Sequence, residues 1–174
     1  METDRLLLRP FAAGDLPAYR LLMGQDEVGE QLPRGRGFTA EETDRLAQFW
    51  SDHWTQHGYG PFAVVERSSG TLLGHCGLKA VEETGEVELL YALGREHWGE
   101  GFATEAARAC VAWADMVLDL PWLVGFVKPD NVRSIAVLTR AGFAPADQVH
   151  LWGLDLIRYR RPREDQAMPE PSSP

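Results

Sequence analysis

The 174-residue chain has only two cysteines, Cys76 and Cys110, and no Cys/His run with zinc spacing. That excludes a disulfide framework and a structural zinc site, and it suits a reduced, cytoplasmic setting. No stretch reaches the roughly 18 apolar residues that cross a bilayer, so no membrane partner is expected. The N-terminal run Leu6-Leu7-Leu8 follows the charged Met1-Glu2-Thr3-Asp4-Arg5. It is too short for a signal peptide, and no small-residue cleavage site follows it. Basic residues are few: 17 Lys and Arg against 26 Asp and Glu leave a formal charge of -9. Duplex nucleic acid requires a basic face, so the balance argues against it and mildly favours a cationic partner.

What is present suits one domain of ordinary globular composition, with 44% hydrophobic and 25% charged residues. Residues 1–160 read as that domain. Residues 161–174 are polar and Pro-rich and read as a disordered tail. Arg5 to Pro10 reads as a strand. Asp15 is placed to cap a short helix with Pro17 in its first turn. Gly24 to Gly37 reads as irregular. Thr39-Ala40-Glu41-Glu42 is a capping-box pattern that opens a second helix, with Phe49, Trp50 and Trp54 on its core face. Strands are expected over Phe62 to Glu66, Thr71 to Leu78 and Glu86 to Leu93. A helix spans Phe102 to Leu118, and a doubly buried strand Trp122 to Val127. Asn131 to Ala141 reads as a helix closed by Gly142, followed by an antiparallel pair, Phe143 to Val149 and Leu151 to Tyr159. The sum is a mixed α/β sheet with helices on both faces.

The most informative stretch is Leu93-Gly94-Arg95-Glu96-His97-Trp98-Gly99-Glu100-Gly101-Phe102-Ala103-Thr104-Glu105. A strand ends, a Gly-containing turn follows and a helix begins. The free N–H groups of such a turn and the helix dipole hold a phosphate without a basic side chain, and Gly99 and Gly101 let the backbone approach it. The plainer alternative is a strand–helix turn whose glycines only relieve crowding. No Gly-Lys-Ser/Thr follows, so this is no Walker loop. The third glycine and downstream acid of a dinucleotide fingerprint are also missing.

This segment resembles the acetyl-CoA pyrophosphate loop of the GNAT acyltransferases, most closely the RimJ/RimL branch that acetylates protein N-termini. The likeness extends to Thr3-Asp4-Arg5-Leu6-Leu7-Leu8-Arg9-Pro10, to Gly58-Tyr59-Gly60, to the hairpin Gly70 to Leu78, and to Asn131-Val132-Arg133-Ser134 leading to Ala141-Gly142-Phe143. Trp98 stands where the general loop has Gln or Arg, as in the RimJ/RimL branch. The resemblance covers about residues 2 to 160. It implies the GNAT fold, a mixed and mostly antiparallel sheet with a central splayed strand pair. It also implies acetyl-CoA as cosubstrate, no metal, and direct transfer to an amine, either a protein N-terminus or a small molecule.

By the same resemblance Trp98, Gly99, Glu100, Gly101, Phe102, Ala103 and Thr104 would hold the pyrophosphate. The strand around Tyr91, Ala92 and Leu93 would hold the pantetheine arm. Asn131 would bind that arm, serve as an ordinary N-cap, or do both. Ser134 would lie near the thioester sulfur as an acid, or be a surface serine; no tyrosine occupies its helix. Glu88 is the candidate base or an anchor for the substrate ammonium. Glu86 is the fallback and His75 a weaker alternative. Cys76 and Cys110 read as core. Arg158-Tyr159-Arg160-Arg161-Pro162-Arg163 either solubilises a strand end or meets an acidic or ribosomal surface. A silent acyl-CoA sensor is the rival reading, with an unrelated phosphate binder behind it. A monomer and a homodimer are both open.

Overall fold

The computed structural model describes residues 1–163. Its strands are β1 (Leu6–Arg9), β2 (Pro61–Glu66), β3 (Leu72–Val81), β4 (Glu86–Leu93), β5 (Trp122–Val127), β6 (Ala144–Leu151) and β7 (Leu154–Pro162). Its helices are α1 (Leu16–Met23), α2 (Asp26–Gln31), α3 (Ala40–His57), α4 (Phe102–Val117) and α5 (Val132–Arg140). The strands form one seven-stranded sheet in the order β1-β2-β3-β4-β5-β7-β6. Every neighbouring pair is antiparallel except β4 and β5.

Each face buries its own cluster. On one, the alanine-rich side of α4 brings Ala106, Ala107, Cys110 and Ala114 down onto Leu78, Val87 and Leu89. Small side chains let this helix lie close to the sheet. On the other, Tyr19, Leu22 and Met23 of α1 pack on Ala63, Val65 and Ala92. Period-two alternation along β4 serves both: Val87 and Leu89 join the first cluster, Ala92 the second. Cys76 and Cys110 are buried core thiols, with their Sγ atoms 3.7 Å apart.

The capping box forms as its pattern implies. Thr39 Oγ1 accepts the Glu42 N–H, and Glu42 accepts the Thr39 N–H. Glu42 also takes Arg36 and Arg34, which hold its carboxyl well below the usual range and tie the preceding loop to α3. Gly58 ends α3 at φ 72°, and Gly142 follows α5 at φ 90°.

Several expectations are corrected. Gly24 to Gly37 is not wholly irregular, because it contains α2, with Asp26 and Glu27 in its positive first turn. Gly29 sits there because a Cβ would lie 1.8 Å from the Arg36 carbonyl. Asp15 does not cap α1: its carboxylate accepts from the Ala12 N–H and from Arg9. Trp50 is buried but Phe49 is 48% exposed, so the core face of α3 is narrower than expected. The last hairpin turns at Trp152 and Gly153, both at positive φ, two residues later than expected. The basic cluster forms no free patch: Arg158 pairs with Glu86 and Asp147, Arg161 with Asp115, and Arg163 with Asp119. Strand β7 runs through Pro162, past the expected domain end at 160, and residues 164–174 of the expected tail lie outside the described residues. Among the described residues no helix is long and apolar enough to cross a membrane.

Thr39→Ala removes one of the two reciprocal caps while leaving Glu42 in place. It should cost about 1 kcal/mol and lower Tm by about 2–4 °C in thermal unfolding.

Candidate active site

Strands β4 and β5 share a single paired position, Glu88 with Val124. Beyond it they part, and a cavity of about 810 Å³ opens at their C-terminal ends. The expected splayed pair is therefore present. One side of the cavity is made by Leu89 to Leu93, the loop after β4 and α5; the other by residues of α1 to α3 and of the β6–β7 hairpin.

Glu88 stands at the fork and lines the cavity, only 8% exposed. Burial pushes its carboxyl up to about 7, against the pull of the Lys79 ammonium 3.8 Å away. Lys79 is its cross-strand partner in the β3–β4 register. Counting back from the Glu82–Gly85 turn would have found this pair in the sequence. The fallback Glu86 is engaged elsewhere, by Arg158 at 2.8 Å and Arg160 at 3.3 Å. His75 is buried, with Nδ1 2.9 Å from the Tyr19 hydroxyl, which itself accepts from Trp50 Nε1. Burial lowers the His75 pKa to about 4, so it is neutral at physiological pH.

Ser134 is not a surface serine. Its Oγ is 2.8 Å from the Tyr91 hydroxyl, which also donates to the Ser134 carbonyl. A tyrosine is thus delivered to α5 from the sheet, although the helix has none of its own. Burial raises the Tyr91 pKa, so the phenol keeps its proton. Asn131 does cap α5, accepting the Ser134 N–H through Oδ1. Its amide nitrogen has no protein partner among the described residues.

The loop after β4 is held open. Gly99 has φ 85° and Gly101 φ 82°, and a Cβ on Gly99 would meet nothing within 4 Å. Gly101 begins α4 with no side-chain cap, so the first-turn amides are left to whatever binds there. Ala103 and Thr104 line the cavity, and Trp98 donates from Nε1 to the Leu93 carbonyl, fixing the strand end. Arg95 and Arg133 each lie 5.2 Å from the Trp98 ring centre. The N-terminal segment buttresses all of this. Thr3 and Arg5 both donate to Glu105 of α4, and Arg5 also donates to the Glu100 carbonyl and stacks over Phe102. A pyrophosphate fits such a cradle: glycine backbone with open space, uncapped helix amides, and nearby guanidinium groups.

Comparison with known proteins decides the family. The Acetyltransferase (GNAT) domain family matches residues 5–144. The chain belongs to the GNAT acetyltransferases. It is an acyltransferase, similar to an uncharacterised N-acetyltransferase, p20, of Bacillus licheniformis, at 27% identity over 82% of this chain and 81% of that one. The crystal structure of an acetyltransferase from Agrobacterium tumefaciens superposes with a TM-score of 0.78 at 32% identity, covering 92% of each chain. A Vibrio cholerae spermidine N-acetyltransferase, solved with CoA and spermine, shares the fold at TM-score 0.75 and 18% identity, covering 92% of this chain and 97% of that one. In GNAT terms, the residues not foreseen here are Lys79, Arg5, Glu105 and the Tyr91 side chain.

Because the Glu88 carboxyl titrates near 7 in the fold, against an ordinary value of 4.5, the folded state holds its proton longer than the unfolded chain does. Its contribution to stability is greatest below 4.5 and is lost as pH rises towards 7. Glu88→Gln should therefore gain in Tm on wild type at pH 8 and much less at pH 4.5, as thermal unfolding at the two pH values would show.

Proposed function

We propose that this chain moves an acetyl group from acetyl-CoA to a primary amine by direct attack within a ternary complex. One observation carries the reading: Glu88, the Tyr91–Ser134 hydroxyl pair and the uncapped start of α4 all open on the same cavity. Bound acetyl-CoA supplies an already activated thioester. The chain's residues then bind, orient and handle protons. The amides of Gly99 and of Gly101 to Thr104, with Arg133 nearby, hold the pyrophosphate. The β4 backbone at Tyr91, Ala92 and Leu93, freed from β5 by the splay, holds the pantetheine arm with the Asn131 amide. Glu88 takes the proton of the attacking amine, directly or through a water. As the carbon–sulfur bond breaks, the proton for the departing thiolate comes from the Tyr91–Ser134 pair.

The reading includes the RimJ/RimL-like branch, supported by the Thr3-Asp4-Arg5-Leu6 segment and by Trp98. It includes a cytoplasmic setting, no resident metal, and a monomer or homodimer. It leaves the acceptor as a protein N-terminus or a small amine.

Ionised Glu88 is the form that accepts a proton, so kcat/KM should rise with pH and level off above about 7. Glu88→Gln should flatten that limb and lower kcat at least about a hundredfold, with the KM for acetyl-CoA unchanged, in a thiol-release assay across pH. An unaltered profile would remove Glu88 as base. Acetyl-CoA at about 100 times its Kd should stabilise the protein by roughly 2.7 kcal/mol, a Tm gain of several degrees that ATP and NADH do not reproduce. Gly101→Val, measured against its own baseline, should lose that gain; a retained shift would refute the loop assignment.

A further inference from the structure

The acceptor side of the cavity carries little negative charge. Among the described residues that line the whole cavity, Glu88 is the only carboxylate; Lys79, Lys128 and the Glu42-paired Arg34 line it on this side, and Arg133 and Arg140 line it from α5 on the other. Glu88 is already shared with Lys79. The remaining walls on this side are apolar and aromatic, with Phe38, Leu46 and Trp50 from one edge and Phe126, Trp152 and Leu156 from the other. His75 adds a neutral ring, 5.7 Å from that of Trp50.

Trp152 is the least ordinary of these. It is the one non-glycine residue with positive φ among those described, at 54°. A bulky side chain in that conformation is uncommon, and here the two-residue turn between the paired Leu151 and Leu154 sets it at Trp152 and Gly153 alike. Three contacts then hold the indole in place. Nε1 donates to Glu83 at 2.8 Å, the Lys79 ammonium lies 4.6 Å from the ring centre, and the Phe126 ring packs edge-on at 5.8 Å. The indole is thereby held at the cavity beside the Lys79–Glu88 pair. Elsewhere in the lining, Lys128 Nζ donates to the Glu30 and Leu32 carbonyls and ties the C-terminal end of α2 to the residue that follows β5. Both walls are thus fixed to the sheet before a ligand arrives.

From this arrangement we infer that the acceptor is a small primary amine on an uncharged, apolar body of about aromatic size, its amino group meeting Glu88 and its body lying against Trp152, and that the site selects against polyamines. The inference rests on the acetyl-transfer reading and narrows it. A single ammonium finds a single carboxylate. Each further positive charge would enter beside Lys79 and Lys128, with no second carboxylate in the lining to meet it. An apolar body instead gains from burial against aromatic walls.

The test compares phenethylamine and tryptamine with putrescine, spermidine and kanamycin, and with short peptides beginning in Ser or Ala. Turnover is read by CoA thiol release, and binding to the CoA-loaded protein separately by calorimetry. The arylalkylamines should exceed every other acceptor by about tenfold or more in kcat/KM and bind most tightly. Trp152→Ala should raise their KM about tenfold and leave the KM for acetyl-CoA unchanged, and Trp152→Phe should recover most of the loss. Higher kcat/KM for a polyamine, kanamycin or a peptide would overturn the inference. So would an unchanged KM in Trp152→Ala, or arylalkylamines that neither bind nor react. Arylalkylamine binding without thiol release would sink the transferase reading while sustaining the acceptor class, so the two failures are told apart.

Discussion

The structure depends on the parting of β4 and β5 after one shared position. A continuous parallel ladder there would bury both strands and leave no cavity. Because pairing stops at Glu88 and Val124, the β4 backbone beyond it is left for a ligand, and the cavity opens at the strands' C-terminal ends. The fork also places Glu88 where it is deeply buried yet still lines the cavity. That position raises its pKa to about 7, the range in which a carboxylate can act as a base at neutral pH. One failure of sheet pairing thus provides both the space and the buried carboxylate that the proposed acetyl transfer requires.

Charge is arranged against the grain of the whole chain. The net charge of -9 favours a cationic partner on composition alone. Much of the acid, however, is committed to arginines: Asp15 to Arg9, Asp44 to Arg20, Glu42 to Arg34 and Arg36, Asp147 to Arg158. These pairs are largely at the surface, where each contributes little to stability. Their effect on the site is indirect: the acids face outward or pin loops, while the cavity is lined by cations and Glu88. Net charge therefore speaks to long-range attraction, and the local lining speaks to the acceptor.

Elements with a local cause were legible in the sequence. The Thr39 and Glu42 caps, the glycine after α5, and the alternation of β4 all follow from neighbours within a few positions. So does the shape of the glycine loop between β4 and α4, because glycines, turn and helix start are contiguous. What stayed hidden was set by register and by tertiary packing. Lys79 faces Glu88 only once the hairpin turn is fixed. Tyr91 reaches Ser134 across the strand–helix gap, 43 positions along the chain. The capping role expected of Asp15 failed because Arg9, brought near by the turn, offers its carboxylate a stronger partner. The Trp152 backbone follows the two-residue turn it shares with Gly153, but the placement of its indole stayed hidden, because the contacts that hold it come from β3, β5 and the β3–β4 turn.

The N-terminal segment supplies the last link. Thr3 and Arg5 lie far from the loop in sequence and share no side chain with the cavity lining. Yet Glu105, in the first turn of α4, accepts from Thr3 Oγ1 at 2.6 Å, from the Arg5 amide at 2.9 Å and from Arg5 Nε at 2.7 Å. A carboxylate so placed favours the positive helix end, but it would compete with a phosphate for the same amides if it turned towards them. The N-terminal segment claims its oxygens from the outer side. Arg5 at the same time holds the Glu100 carbonyl, so that loop and helix are fixed by one residue. This accounts physically for a Thr-x-Arg opening in a chain whose proposed anion site lies some ninety residues later: it keeps the helix amides free and the loop in shape.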